Sequence, residues 1–154
     1  MSQDIPAVVL LVEDDPDHAE LVARALAEPR GAVRLVHVWN GVSALEYLQR
    51  EGAWSDPEKS PRPDLVLLDL RLPGMSGGEV LRRIKSSGAF GGIPVVILST
   101  SQARGGLLAA EGAQADECAV KPVDGERFRG LVRDLVSAWT GRTSGSPGAA
   151  GQRL

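Results

Sequence analysis

Four polar clusters, each directly after a short apolar run, contain many of the chemically reactive side chains of this sequence. They are Glu13-Asp14-Asp15, Asp69, Ser99-Thr100-Ser101 and Lys121-Pro122. Short apolar runs of this kind are typical of strands buried on both faces of a parallel sheet. Because the carboxyl ends of parallel strands share one edge, and ligands bind at that edge in open α/β sheets, we expect the four clusters to meet there.

The residue types in these clusters favour the binding of a cation and of an anionic group. The carboxylates of Glu13, Asp14 and Asp69 would repel one another at close range unless they shared protons or bound a hard cation such as Mg²⁺. The Lys121 ammonium and the Ser99 hydroxyl would then favour an incoming group with several anionic oxygens, such as a phosphoryl group. Taken singly, each cluster is an ordinary turn, helix cap or surface loop, so the interpretation depends on all four together.

Alternating strand-like and helical patterns indicate the scaffold for these clusters. Apolar runs predict strands at residues 7–12, 33–38, 65–69, 93–98 and 115–120, and helical spacing predicts helices at 15–27, 41–50, 76–87, 102–111 and 126–139. Gly105 and Gly106 weaken the predicted fourth helix, and residues 52–63 are interpreted as a long polar loop. Five successive β-α units predict an α/β fold, a doubly wound parallel sheet with helices on both faces.

The bulk composition limits the possible functions. The chain has 154 residues, enough for one domain with a full core, and a net charge of -3, which argues against nonspecific binding of nucleic acid. No apolar run approaches the roughly 18 residues of a membrane span. One cysteine and two histidines argue against a disulfide and against a Cys- or His-based metal site. The absence of a signal-peptide pattern favours a cytoplasmic location.

The clusters and their spacing resemble the receiver domain of two-component response regulators. The resemblance covers residues 7–139, leaving residues 1–6 as a lead and 140–154 as a tail that is flexible or ordered by a partner. Its motifs are Val12-Glu13-Asp14, Leu68-Asp69 with Pro73 and Gly77, residues 93–99, and Val120-Lys121-Pro122. The resemblance implies a flavodoxin-like (βα)5 fold with strand order 2-1-3-4-5.

The same resemblance implies a role for each site residue. Asp69 would be the phosphoacceptor and, with Asp14 and the backbone carbonyl of Arg71, would hold Mg²⁺ or Mn²⁺, with Glu13 contributing through water. The phosphoryl oxygens would be bound by Ser99, Thr100 and Lys121. The Lys121–Pro122 peptide bond would be cis.

Three positions bear on how the phosphorylated state is read out or lost. Many receivers carry Tyr or Phe three residues before the lysine, where this chain has Cys118, so a switch by a swinging aromatic ring is in doubt here. We expect Cys118 to be a small buried thiol rather than a redox sensor. Arg71 and Ser101 are candidates for modulating hydrolysis, Arg71 by lying over the site and slowing entry of water.

A narrower resemblance concerns partners. Residues 39–48, the loop to residues 63–65, residues 84–94 and the ending Val136-Ser137-Ala138-Trp139 are similar to the phytochrome-associated single-domain regulators of bacteria. This implies a sensor histidine kinase of the bacteriophytochrome type as phosphodonor, with a non-phytochrome kinase as the alternative. It also implies a homodimer through the predicted fourth helix, fifth strand and fifth helix, with Trp139 as a candidate anchor, and no DNA-binding module.

Three other classes share part of the pattern. A haloacid-dehalogenase-like phosphatase needs a second Asp two residues after its nucleophile, where this chain has Arg71. A flavodoxin-like cofactor module needs a phosphate-binding loop after the first strand, where Glu13-Asp14-Asp15 would repel phosphate. A pseudo-receiver that only binds partners would not need the acid, hydroxyl and lysine set. We therefore expect a phosphoacceptor rather than an enzyme with a separate substrate.

Overall fold

A computed structural model describes residues 5–99 and 115–141, which form a five-stranded parallel sheet with helices on both faces. The strands are β1 (Ala7–Val12), β2 (Val33–Val38), β3 (Leu65–Asp69), β4 (Val95–Ser99) and β5 (Glu117–Val120). The helices are α1 (Pro16–Ala25), α2 (Gly41–Gln49), α3 (Gly77–Lys85) and α4 (Gly125–Thr140). The strand order is β2-β1-β3-β4-β5, with each neighbouring pair parallel. The predicted fold class and strand order are confirmed.

The two faces of the sheet carry two separate apolar clusters, because successive side chains of a strand point to opposite faces. One cluster joins Leu10, Val12 and Leu68 of the strands to α2 and α3. The other joins Leu11 and Leu67 to α1 and α4. The central strands are buried throughout, which explains why their sequences are continuous apolar runs rather than alternating patterns.

Side-chain caps fix where the helices begin. Asp15 accepts hydrogen bonds from the N–H groups of Asp17 and His18, and Ser76 accepts one from Glu79. The predicted helices at residues 15–27 and 76–87 therefore start one residue too early, since Asp15 and Ser76 are caps and not helical residues. No helix among the described residues is long and apolar enough to cross a membrane.

The remaining differences from the predicted elements are local. The three strands β1, β2 and β3 have the predicted bounds. Strand β4 begins two residues later than predicted, after Pro94, which has no N–H for the sheet. The loop at residues 52–63 contains a short 3-10 turn, Gly52–Trp54, that the sequence did not predict. The predicted fourth helix, Thr100, Ser101 and the tail lie outside the described residues.

Gly77 lies where the backbone of α3 meets the end of β3. The Gly77 N–H donates to the Leu70 carbonyl at 3.0 Å, and a Cβ added at Gly77 would overlap the Asp69 carbonyl oxygen and lie 2.6 Å from Leu70 Cα. Because backbone atoms cannot give way as a flexible side chain can, we expect Gly77→Ala to lower the free energy of unfolding by about 3 kcal/mol. Chemical denaturation monitored by circular dichroism measures this loss.

Gly88 provides the matched control for that substitution. A Cβ added there would meet no atom within 4 Å, so Gly88→Ala should change the free energy of unfolding by no more than about 0.5 kcal/mol. Equal losses in the two variants would show that the close approach at Gly77 is not the cause.

Candidate functional site

The strand register brings the predicted site residues to one edge of the sheet. Val12 pairs with Leu68, which places Glu13 beside Asp69. Ser99 pairs with Val120, and the Lys121 N–H donates to the Ser99 carbonyl at 2.8 Å. The ends of β1, β3, β4 and β5 therefore meet as the sequence predicted.

Three carboxylates lie together at this edge. One ligand oxygen from each of Glu13, Asp14 and Asp69 lies within 4.8 Å of the other two. Glu13 and Asp69 are buried and Asp14 is exposed. The Arg71 N–H donates to Asp69 Oδ1 at 3.2 Å, which holds one carboxylate oxygen in place.

Lys121 is the cation of the site, and its side chain is only 6% exposed. Its Nζ donates to Glu13 Oε1 at 2.9 Å and lies 3.6 Å from Asp69 Oδ2. The ammonium thus offsets part of the charge of two buried carboxylates, since a buried charge without a partner is costly.

The surroundings of Asp69 disfavour its ionised form, because they supply too little positive charge. Burial, together with the neighbouring Glu13 carboxylate, raises the pKa of Asp69 to about 7, although Lys121 acts in the opposite direction. A divalent cation at this point would favour the ionised form, because opposite charge lowers the pKa of a carboxyl group. The three carboxylates therefore suit a hard cation with oxygen ligands, as Mg²⁺ and Mn²⁺ are.

Ser99 supplies a buried hydroxyl at this edge of the sheet. The residue is 1% exposed, and its Oγ has no hydrogen-bond partner among the described residues. A buried hydroxyl normally has such a partner. A group with several acceptor oxygens, bound beside Asp69 and Lys121, would give this hydroxyl at the carboxyl end of β4 a hydrogen-bond partner.

The raised pKa of Asp69 predicts that Mg²⁺ binding depends on pH. The folded chain keeps a proton on Asp69 between about pH 4 and pH 7 that the unfolded chain has lost, so metal-free stability falls as the pH rises through this window. Mg²⁺ competes with that proton, because a ligating carboxylate must be ionised. We expect roughly tenfold weaker Mg²⁺ binding near pH 6 than near pH 8, and a smaller Mg²⁺-induced rise in melting temperature.

Titration calorimetry at the two pH values measures this dependence. An Asp69→Asn variant is the control, since it has no Asp69 proton to displace and its weaker residual binding should change much less with pH. Equal affinity of the native chain at both pH values would contradict the prediction.

Other predicted site residues are placed less fully. The Arg71 side chain is exposed, and its carbonyl as a metal ligand and its effect on hydrolysis stay predictions. Cys118, the one cysteine of the sequence, is partly buried against the α2–α3 cluster. Trp139 packs against the α1–α4 cluster, and its Nε1–H donates to the buried Glu117 Oε1 at 2.8 Å. Whether Trp139 also anchors a dimer stays a prediction.

The implied cis Lys121–Pro122 bond is wrong for this structure. Among the described residues the cis peptide bond found is Glu28–Pro29. The trans form is the lower-energy state of an X-Pro bond, and in it the Lys121 ammonium already reaches Glu13 and Asp69.

His18 also lies at the site, although it was not among the predicted site residues. Its Nδ1 lies 3.0 Å from Lys121 Nζ and 3.9 Å from Glu13 Oε1. The signal was available in the sequence, since position 18 lies in the first turn of the helix that follows Glu13-Asp14. A side chain in that turn can reach back to the strand end.

Comparison with known proteins identifies the family. A model of the response regulator receiver domain matches residues 9–133. This chain belongs to the receiver domain family. Response regulator Rcp1 of Synechocystis sp. PCC 6803 is 40% identical over 87% of this chain and 89% of its own length. The probable methanogenesis regulatory protein FilR2 of Methanothrix harundinacea is 37% identical, over 94% of this chain and 90% of that relative.

Solved structures of receiver domains match the same fold. The phosphorylated cyanobacterial phytochrome response regulator RcpA superposes with a TM-score of 0.80 at 32% identity, covering 93% of this chain and 99% of RcpA. The Mn²⁺-bound form of Rcp1 superposes with a TM-score of 0.77 at 34% identity, covering 93% of this chain and all of that chain. This chain is therefore a phosphoacceptor of two-component signalling, and its cluster of three carboxylates could hold a metal ion.

Proposed function

We propose that Asp69 accepts a phosphoryl group from a sensor histidine kinase of the bacteriophytochrome type, in the cytoplasm, and that residues 7–139 form the receiver unit. The observation that carries the proposal is the buried Lys121 ammonium, 3.6 Å from Asp69. Ser99 follows the residue that pairs with Asp69, and its buried hydroxyl has no partner among the described residues. The similarity to RcpA and Rcp1 supports the choice of kinase. A non-phytochrome histidine kinase is the alternative donor.

The proposed reaction is a displacement at phosphorus. An electron pair of an Asp69 carboxylate oxygen forms the new P–O bond, while the P–N bond to the donor histidine breaks and its electron pair returns to the ring nitrogen. Mg²⁺, held by Asp14, Asp69 and the Arg71 carbonyl with Glu13 through water, supplies neutralising charge for the phosphoryl oxygens when bound. Lys121 and Ser99 donate to two of those oxygens, and we assign Thr100 to the same group.

The product of this reaction is the phosphorylated protein itself, so we propose that no separate substrate is turned over. An aspartyl phosphate is an acyl phosphate, which water hydrolyses, so the signal limits itself. The phosphoryl group also replaces a single charge by roughly two and brings three acceptor oxygens to the site. We propose that the Ser99 hydroxyl moves towards these oxygens and so transmits the change. Because Cys118 stands where many receivers have an aromatic residue, no swinging ring takes part. Arg71 and Ser101 would set the rate of hydrolysis.

Phosphotransfer tests the proposed function. The full chain is incubated with Mg²⁺ and acetyl phosphate, and separately with an autophosphorylated bacteriophytochrome kinase under red and far-red light. Peptide mass spectrometry should place one phosphoryl group on Asp69, and transfer from the kinase should depend on the light given. An adduct elsewhere would overturn the assignment of Asp69, whereas light-independent transfer would favour the alternative donor.

We further propose a homodimer through the face that contains β5, α4 (the helix predicted as the fifth) and the predicted fourth helix, which lies outside the described residues. Strand β5 is an edge of the sheet, and Val120, its last residue, is 37% exposed. The half-buried Trp139 would extend that face. We expect Trp139→Ala to sediment as a monomer at concentrations where the native chain is a dimer. Trp39→Ala is the control, since Trp39 follows β2 at the other edge, and dimeric Trp139→Ala would remove the anchor role.

A further inference from the structure

We propose that His18 is a positioning residue that fixes the direction of the Lys121 ammonium, so that one of its N–H groups points at the phosphoryl group on Asp69. This inference rests on the proposed function, because it concerns how Lys121 meets that group. The role belongs to α1, which carries none of the residues assigned to the site above.

The contact between the two side chains is short and directional. Lys121 Nζ lies 3.0 Å from His18 Nδ1 and 2.9 Å from Glu13 Oε1. A lysine ammonium has three N–H donors and no acceptor, so His18 Nδ1 must be the acceptor. The ring proton of neutral His18 is therefore on Nε2, the nitrogen that does not face Lys121.

Two fixed N–H directions determine the third. The ammonium is tetrahedral, so once Glu13 and His18 each accept one hydrogen, rotation about the last carbon–nitrogen bond is stopped. Among the residues that the structure describes, the remaining acceptor near Lys121 is Asp69 Oδ2, at 3.6 Å, which is too long for a hydrogen bond. The third N–H is thus left available beside Asp69, where a phosphoryl oxygen would accept it.

The His18 ring is itself held by two helices. Its backbone N–H donates to the capping carboxylate Asp15 Oδ1 at 3.4 Å, which fixes the start of α1. Its ring meets Phe128 of α4 edge to face, with centroids 5.6 Å apart and planes at 87°. Phe128 is 2% exposed, so His18, whose own side chain is 35% exposed, is supported on one side by a packed core residue.

The charged neighbours of His18 are those of the site. Besides Lys121, they are Glu13 Oε1 at 3.9 Å and Asp15 Oδ2 at 3.7 Å. Both distances are longer than a hydrogen bond, so Lys121 is the group to which Nδ1 is bonded. His18 therefore acts on the phosphoryl group through Lys121, without touching it.

Two substitutions in the full chain separate this role from a structural one. His18→Asn keeps an acceptor oxygen at the δ1 position, whereas His18→Leu keeps an apolar contact with Phe128 and removes the acceptor. We expect His18→Leu to lower the rate of phosphorylation by saturating acetyl phosphate about tenfold, and His18→Asn to lie within about twofold of the native rate. The Mg²⁺ affinity and melting temperature of both variants should stay near native, since His18 is not among the clustered carboxylates.

A second measurement tests the contact without phosphorylation. Nitrogen-15 NMR of the histidine rings in the native chain should show His18 with a bare Nδ1, and the Lys121→Met variant should shift that signal. A native rate in His18→Leu, or an equally slow His18→Asn, would overturn the inference alone. Absence of phosphorylation in the native chain would instead overturn the proposed function, and with it this role of His18.

Discussion

Asp69→Asn is expected to abolish phosphorylation of this chain. The amide has no carboxylate oxygen to form an acyl phosphate, so incorporation of phosphate from acetyl phosphate or from a kinase should fall by more than about 100-fold. Quantitative mass spectrometry of the intact chain, at matched Mg²⁺ concentration, measures the loss. Asp17→Asn is the matched control, because Asp17 is exposed in the first turn of α1 and its side chain has no role in the proposed site.

The fold should survive this substitution, which makes the loss of phosphorylation interpretable. Because the folded-state pKa of Asp69 is raised to about 7, ionising it above that pH opposes folding. Replacing it with a neutral amide near pH 8 should therefore stabilise the metal-free chain. Phosphate retained by Asp69→Asn would show that the acceptor is another residue.

Lys121→Met is expected to weaken both the fold and the reaction. It leaves Glu13 and Asp69 buried without the ammonium that lies 2.9 Å and 3.6 Å from them. Removing one partner from a buried ion pair costs about 3 kcal/mol or more, and the loss should be largest in the metal-free chain above about pH 7, where Asp69 is ionised. Phosphorylation should slow by about 100-fold, since the Lys121 ammonium then no longer meets the phosphoryl oxygens.

Arg24→Met is the matched control for that variant. Arg24 and Glu20 form an i,i+4 pair on α1 with side chains 62% and 59% exposed, so its loss should cost no more than about 0.5 kcal/mol. Lys121→Met made in the Asp69→Asn background should destabilise less than in the native background, because only one buried carboxylate is then left. Equal costs in the two backgrounds would show that Lys121 does not stabilise Asp69.

Much of the scaffold was predictable because a strand that is buried on both faces is a continuous apolar run in the sequence. The runs at residues 7–12, 33–38 and 65–69 gave strands with the right bounds, and polar residues at their ends located the site. Helix starts were less accurate, since Ser76 looks like a helical residue until its cap bond is seen, whereas Asp15 before Pro16 was already a candidate cap.

What the sequence could not show is contact between residues far apart in the chain. The bond between His18 and Lys121 joins positions 103 residues apart, and it depends on the packing of α1 against α4. The hydrogen bond from Trp139 to Glu117 is of the same kind. The first-turn position of His18 places it near the end of β1, but neither its partner Lys121 nor the pair Trp139–Glu117 follows from spacing or composition, so both contacts required the fold.

The division of the core into two clusters has a consequence for synthesis on the ribosome. The α2–α3 cluster is built mainly from residues that precede Ser99, whereas the α1–α4 cluster also needs Phe128, Val132, Leu135 and Val136. A nascent chain can therefore close one face of its sheet while the other still exposes Leu11 and Leu67. Chaperones that bind exposed apolar strands would meet this chain mainly in the interval before α4 leaves the exit tunnel.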